Sequence, residues 1–175
     1  MTPLARRPWI AQTTLATPLG ALLIAATEHG LGGCWFEGQA HHPGHLDAPE
    51  APDQPCLLQT RHELDSYWRD PVRAQFTMAL DPGGTVFQNA VWQLLRGIAA
   101  GHSSSYGALA AQLGKPDSAR AVGGAVGRNP LSIIVPCHRV LGASGRLTGY
   151  AGGLQRKLAL LQQEGLPAMA PALWP

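Results

Sequence analysis

The sequence predicts a mixed α/β (α+β) chain, in which a small N-terminal antiparallel sheet with a helix precedes a C-terminal helical part containing a helix-turn-helix. Three observations carry this. Short apolar or alternating runs fill the chain up to Phe36, helically spaced apolar residues dominate after Gly84, and the breaker Asp81-Pro82-Gly83-Gly84 separates the two patterns. The expected organisation is an N-terminal unit of residues 1–80, a linker at 81–84 and a C-terminal unit of residues 85–175. With 175 residues, 45% of them hydrophobic, the chain has apolar material for a normal core.

Trp9 to Leu15, Ala21 to Ala26 and Leu31 to Phe36 are divided by Thr17-Pro18-Leu19-Gly20 and Glu28-His29-Gly30, the pattern of antiparallel strands joined by tight turns. Gly38 to Pro55 has four prolines, three histidines and little to bury, which predicts a loop. Cys56 to Arg69 carries Leu57, Leu58, Leu64 and Trp68 at helical spacing, and Val72 to Leu80 alternates as a further strand. Beyond the breaker, Thr85 caps a helix holding Phe87, Val91, Trp92, Leu94 and Leu95, ending near Gly97 to Gly101. The serines before Tyr106 open a short helix with Leu109 and Leu113, closed by Gly114-Lys115-Pro116. Asp117 is the expected N-cap of the next helix, Ser118 to about Val126, which Gly127 and Asn129-Pro130 terminate. Ile133 to Cys137 reads as a buried β-like run, and Leu154 to Gln163 as a terminal helix before Glu164-Gly165.

No apolar run approaches the roughly 20 residues that span a bilayer, and Met1 to Trp9 has arginines without an apolar stretch behind them. Three cysteines, Cys34, Cys56 and Cys137, share no spacing pattern, so a disulfide framework is not expected and a reducing cytoplasm fits. The net charge of +2 hides an asymmetry: residues 1–80 hold five Lys/Arg and eight Asp/Glu, while residues 81–175 hold eight and three. A basic half of this kind fits a polyanion such as nucleic acid, and chance asymmetry fits equally well.

The two short helices around Gly114 have the plan of a helix-turn-helix. In the second, Ala121, Val122, Gly123, Gly124, Ala125 and Val126 offer almost no side chain, although each interior glycine costs about 1 kcal/mol relative to alanine. Close packing on another helix would explain this, and so would a smooth face for an external surface. Arg120 and Arg128 at the helix ends favour a phosphate-bearing groove.

Cys137 is followed at once by His138 and Arg139, and cationic neighbours favour the thiolate, the nucleophilic form. In an extended segment neighbouring side chains point to opposite sides, so a bridging water is the expected link between the Cys137 sulfur and His138. Glu164 is the expected carboxylate behind the imidazole, because the last 95 residues contain only Asp81, Asp117 and Glu164 as acids, and Asp117 is assigned to a cap.

Pro136-Cys137-His138-Arg139-Val140 resembles the active-site motif of the O6-alkylguanine-DNA alkyltransferases, the methylated-DNA–protein-cysteine methyltransferases. Gly84-Thr85-Val86-Phe87-Gln88, Val91-Trp92, Ser105-Tyr106-Gly107, Ala119 to Gly123, Asn129-Pro130, Gly149 to Gly153 and Leu160-Leu161 with Glu164-Gly165 resemble the family in the same order. The match is specific over residues 81–166 and loose over residues 1–80, where Thr17-Pro18-Leu19-Gly20 and the strand pattern carry it.

The resemblance implies a ribonuclease H-like N-terminal unit and a reaction without cofactor, in which Cys137 takes the alkyl group from guanine O6 irreversibly. It implies that His138 and Glu164 draw off the thiol proton and that Tyr106 donates to N3 of the departing guanine. Arg120 would fill the stack behind a flipped base, Tyr106 would crowd the 3′ phosphate, and the face of Ala121, Gly123 and Gly124, flanked by Arg128, would lie in the minor groove of double-stranded DNA. Asn129 would brace the turn into the active-site segment, while Val140, Tyr150 and Ala151 would bind the base. Relatives with serine at the position of Ala151 have a hydroxyl that this chain lacks. Positions matching a zinc site in some members fall on Pro8, Thr27 and Gly32, and no pattern among His41, His42, His45 and Cys34 replaces it, so no metal is expected. A monomer without membrane attachment is expected, with O4-alkylthymine as a weaker substrate. Three rivals stand beside this reading: an alkyltransferase-like binding module, which carries tryptophan in place of the cysteine, a turnover cysteine hydrolase, and a helix-turn-helix regulator.

Overall fold

The computed structural model describes residues 8–166. Most of the Met1-to-Trp9 segment and the end of the expected C-terminal unit lie outside the described residues.

Strands β1 (Ala11–Leu15), β2 (Leu22–Thr27) and β3 (Gly30–Phe36) form an antiparallel sheet in the order β1-β2-β3. Gly30 opens β3 at φ +144, and a Cβ there would lie 2.4 Å from the Ala79 carbonyl oxygen, so the turn and the close approach both require glycine. Helix α1 (Pro55–Arg69) packs on this sheet through Leu57, Thr60, Leu64 and Tyr67, the i, i+3, i+7, i+10 face of one helix. The intervening residues 38–54 are irregular as expected, but Leu46 and Gln39 are buried, Leu46 among Trp9, Ala25 and Trp35.

Val72 to Leu80 is not a strand. Thr77 N is satisfied by a Glu63 carboxylate oxygen at 2.8 Å, and the segment reaches the sheet only at its end, where Leu31 N donates to Ala79 O and Asp81 N to Leu31 O, each at 2.8 Å. Further along β3, Cys34 N donates to Pro130 O and Ser132 N to Cys34 O, also at 2.8 Å. Two unrelated segments thus share the outer edge of β3, which covers it and leaves no length for a fourth strand.

The C-terminal part begins with α2 (Val86–Arg96), closed at its start by a capping box between Thr85 and Gln88 as the sequence indicates. A two-residue strand, β4 (Ser104–Ser105), leads into α3 (Tyr106–Gln112), capped by Ser105, and pairs with β5 (Val140–Leu141) in parallel. Gly114 at φ +69 and a 3-10 turn over Pro116–Ser118 connect α3 to α4 (Ala119–Gly127). Asp117 is not the N-cap: it lies inside that 3-10 turn, the cap is Ser118, and no side chain closes it. The tight turn has already ordered the backbone that a cap would hold. Helix α5 (Leu154–Gln163) matches its expected bounds.

Ile133 to Cys137 is buried but not β-like. Ile133 stands at φ +71 with Ile134 N bonded to Ser132 O, and Pro136 (φ −79, ψ 63) is spanned by Cys137 N bonded to Val135 O at 2.8 Å. These are two γ-turns, the first of the rare positive-φ kind. A β-branched residue in that region is strained, and the strain sits four residues from the cysteine. One continuous core joins the sheet, α1 and the C-terminal helices. Among the described residues no helix is long and apolar enough to cross a membrane.

Candidate active site

The γ-turn at Pro136 delivers Cys137 into a 3-10 turn, Cys137–Arg139, so Cys137 and His138 do not alternate as they would in a strand. Asn129, at the end of α4, holds this arrangement. Its side chain donates to Val135 O at 2.8 Å and to Cys137 Sγ at 3.1 Å, and its Oδ1 accepts from Leu131 N at 2.9 Å. Asn129 thus ties the end of α4 to these turns and also touches the sulfur directly, a contact that the sequence does not reveal.

Behind the cysteine lies a buried ionic cluster. Glu164 Oε1 accepts from His138 Nε2 at 2.7 Å, Tyr67 Oη at 2.7 Å and Arg139 Nη2 at 2.9 Å, and Oε2 accepts from Arg139 Nε at 2.9 Å. Burial alone would raise the Glu164 pKa, but the hydrogen bonds and charges of His138 and Arg139 hold it at about 2. An ionised acceptor requires the proton on His138 Nε2, which leaves Nδ1 with a lone pair, enclosed and without a partner among the described residues. Burial also lowers the His138 pKa, against the pull of Glu164, so the imidazole is a neutral base.

His138 and Arg139 do not supply positive charge to the thiol, contrary to the expectation from their place in the sequence. His138 is neutral, and Arg139 is committed to Glu164 and to Ile98 O at 2.5 Å. The Cys137 thiol, buried at 4% exposure, is pushed up by desolvation, while the Asn129 hydrogen bond and the charge of Lys157 draw it down. Lys157 was not picked out from the sequence. It is fully buried on α5, its Nζ donating to Val140 O, Thr148 O and Gly149 O at 2.5, 2.6 and 3.3 Å. Burial lowers its pKa to about 8, against the pull of Cys137. A signal existed: Lys157, Leu160, Leu161 and Glu164 share the i, i+3, i+4, i+7 face, so both charges sit on a core stripe. Replacing Lys157 by methionine is expected to shift the pH profile of Cys137 alkylation by iodoacetamide upward by about one pH unit, since a cation favouring the thiolate is lost. An unchanged profile would remove Lys157 from the electrostatics of the thiol.

Cys137 faces a pocket of about 250 Å³ that is also lined by Tyr106, Gly123, Val126, Gly127, Tyr150 and Ala151. Tyr150 stands edge-on to His138, with ring centroids 6.4 Å apart. Val140 does not line this pocket, since it is buried behind it with its carbonyl taken by Lys157. Arg120, Ala121 and Arg128 are exposed on α4, and Gly123 and Gly124 are half-exposed. A Cβ on Gly123 would meet only the Tyr106 ring at 3.7 Å, and one on Gly124 only Arg128 Nη1 at 3.4 Å, so close helix packing does not explain these glycines.

Residues 10–82 match the family model of the 6-O-methylguanine DNA methyltransferase ribonuclease-like domain, and residues 86–166 that of the 6-O-methylguanine DNA methyltransferase DNA-binding domain. A methylated-DNA–protein-cysteine methyltransferase of Mycobacterium leprae is 42% identical over 151 residues, covering 86% of this chain and 90% of its own length. That of Haemophilus influenzae is 41% identical over 155 residues, 89% of this chain and 86% of its own. Among solved structures, Mycobacterium tuberculosis OGT in complex with DNA superposes with a TM-score of 0.77 at 39% identity, over 89% of this chain and 92% of that one. Both halves of the sequence and the fold they share thus agree, and the chain belongs to the 6-O-methylguanine DNA methyltransferase family.

Proposed function

We propose that this protein repairs alkylated DNA by flipping O6-alkylguanine out of the duplex and moving the alkyl group onto its own Cys137, with weaker action on O4-alkylthymine. The observation that carries this reading is a buried thiol, next to a neutral histidine, in a pocket bordered by the half-exposed glycine face of α4. The thiol proton passes through a bridging water to His138 Nδ1, whose other nitrogen Glu164 orients. Sulfur attacks the alkyl carbon, a C–S bond forms as the bond to O6 breaks, and Tyr106 donates to N3 of the leaving guanine. Asn129 holds Sγ throughout. Tyr150 and the main chain at Ala151 bind the base, with Val140 behind the pocket and its carbonyl held by Lys157, and no cofactor takes part.

Arg120 fills the stack behind the flipped base, while Ala121, Gly123 and Gly124 lie in the minor groove beside Arg128. Docking there with little base readout suits a protein that must act at any sequence. A monomer acting in the cytoplasm belongs to the same reading, and so does the division into residues 1–80, a linker at 81–84 and residues 85–175. The three free cysteines suit a reducing compartment.

A thioether offers no leaving group, so each molecule reacts once. Methyl release from a duplex containing O6-methylguanine is expected to show a burst equal to the active protein and then stop; sustained turnover would overturn the reading. Arg120→Ala is expected to slow reaction with duplex by about 10- to 100-fold, the scale of base unstacking, and free O6-benzylguanine far less. Equal loss on both substrates would place Arg120 in the chemistry instead.

A further inference from the structure

Ala40 and His41 belong to the irregular segment after β3, yet they line the pocket that holds Cys137. Several contacts bind this segment and its neighbours to the pocket wall. Ala40 N donates to Ala151 O at 2.8 Å. The buried Gln39 side chain accepts from Phe36 N at 2.8 Å and from Ser132 Oγ at 2.9 Å, joining β3 to the turns that precede the cysteine. Arg156, from α5, lies 4.7 Å over the Phe36 ring and donates to Leu19 O at 2.9 Å and Gly152 O at 3.1 Å, so it ties the β1–β2 turn to the loop carrying Tyr150 and Ala151. His41 itself stands at φ +60, where glycine would sit without cost and a side chain does not.

We propose that Ala40 and His41 form the wall that sets how bulky an O6 substituent the site accepts. The inference rests on the alkyl-transfer reading and adds where its size limit resides. Among the lining residues these are the two that are exposed and carry a side chain, since Gly149 is exposed but has none. The other walls are constrained. Tyr106, Gly123, Val126 and Gly127 belong to the helices that face DNA, and Tyr150 has its hydroxyl enclosed close to Ser132. A larger substituent on a bound base must therefore press on Ala40 and His41, or displace the loop they are tied to.

The test compares transfer rates from oligonucleotides carrying O6-methylguanine or O6-benzylguanine, using the whole protein, His41→Gly and Ala40→Leu. The benzyl-to-methyl ratio is expected to rise about tenfold in His41→Gly and to fall about tenfold in Ala40→Leu, the low end of what one methylene is worth in a fitted pocket. Because glycine relieves the positive φ, the melting temperature of His41→Gly is expected to be no lower than that of the parent, which separates a wall effect from a folding defect. An unchanged ratio in His41→Gly, with the parent still transferring methyl, would overturn the size limit and leave alkyl transfer standing. No methyl transfer by the parent would overturn both.

Discussion

Cys137→Ser is expected to lose alkyl transfer by more than about 10³-fold, the order seen when a nucleophile is removed, while duplex binding stays within about twofold of the parent. The serine hydroxyl is smaller than the thiol and keeps a partner in Asn129, so the turn that holds it is not broken. Chemistry is lost because a hydroxyl is a far weaker nucleophile at neutral pH than a thiol relieved of its proton. Binding is expected to persist because the residues proposed to meet DNA, Arg120, Ala121 and Arg128, are exposed on α4, whereas Cys137 is buried in the pocket lining. Quench-flow transfer assays and a gel shift on the same oligonucleotide check the two halves. Transfer at the parent rate by the serine protein would remove Cys137 from the reaction.

Glu164→Gln is expected to cost about 3–5 kcal/mol of stability, because it leaves the buried Arg139 without a countercharge. An amide also brings two protons to a site where His138, Arg139 and Tyr67 already donate, so at least one buried donor loses its acceptor. Transfer is expected to fall by about 10²-fold or more, since an amide can donate to His138 Nε2 as well as accept from it and so no longer fixes the proton there. The pH dependence carries a sign. The folded Glu164 pKa of about 2 lies below its ordinary value of 4.5, so its contribution, about 3 kcal/mol, is present above pH 4.5 and is lost as pH falls towards 2. His138, kept neutral by burial, adds to the same acid limb, starting below the ordinary histidine pKa of 6.5. Urea unfolding across this range is expected to show a steep acid limb in the parent and a flatter one in Glu164→Gln. Equal midpoints for both proteins at pH 7 would contradict the countercharge role.

The features legible in the sequence are those fixed by local chemistry. Thr85 with Gln88, Ser105 before Tyr106, and the turn residues between the strands set element ends within a few positions, and the expected helices and first three strands lie where those signals put them. Glu164 stands out because the C-terminal half has few acids, although Asp117, another of them, is not the cap its position suggests. The errors have tertiary causes. Ile133-Ile134-Val135 has a strand's composition, but β3 pairs with Pro130 and Ser132 just before it and Asn129 takes Val135 O, and the backbone between them runs through two γ-turns. Val72 to Leu80 has a strand's alternation, but no free edge was left for it. Tyr67 reads as an ordinary core aromatic on a helix stripe, and nothing local distinguishes it until Glu164 arrives from 97 residues away. Ala40 and His41 reach the pocket through contacts more than 90 residues apart in the chain, which no local pattern encodes.

In the alkyl-transfer reading Cys137 is the permanent acceptor of the alkyl group. Intact mass of the protein after incubation with excess O6-methylguanine duplex, followed by peptide mapping, tests it in one measurement. The expected result is the gain of one methyl group in place of a hydrogen on every active molecule, confined to the peptide containing Cys137, with Cys34 and Cys56 unmodified. An unmodified protein beside repaired DNA, or a methyl group on any other residue, would contradict it.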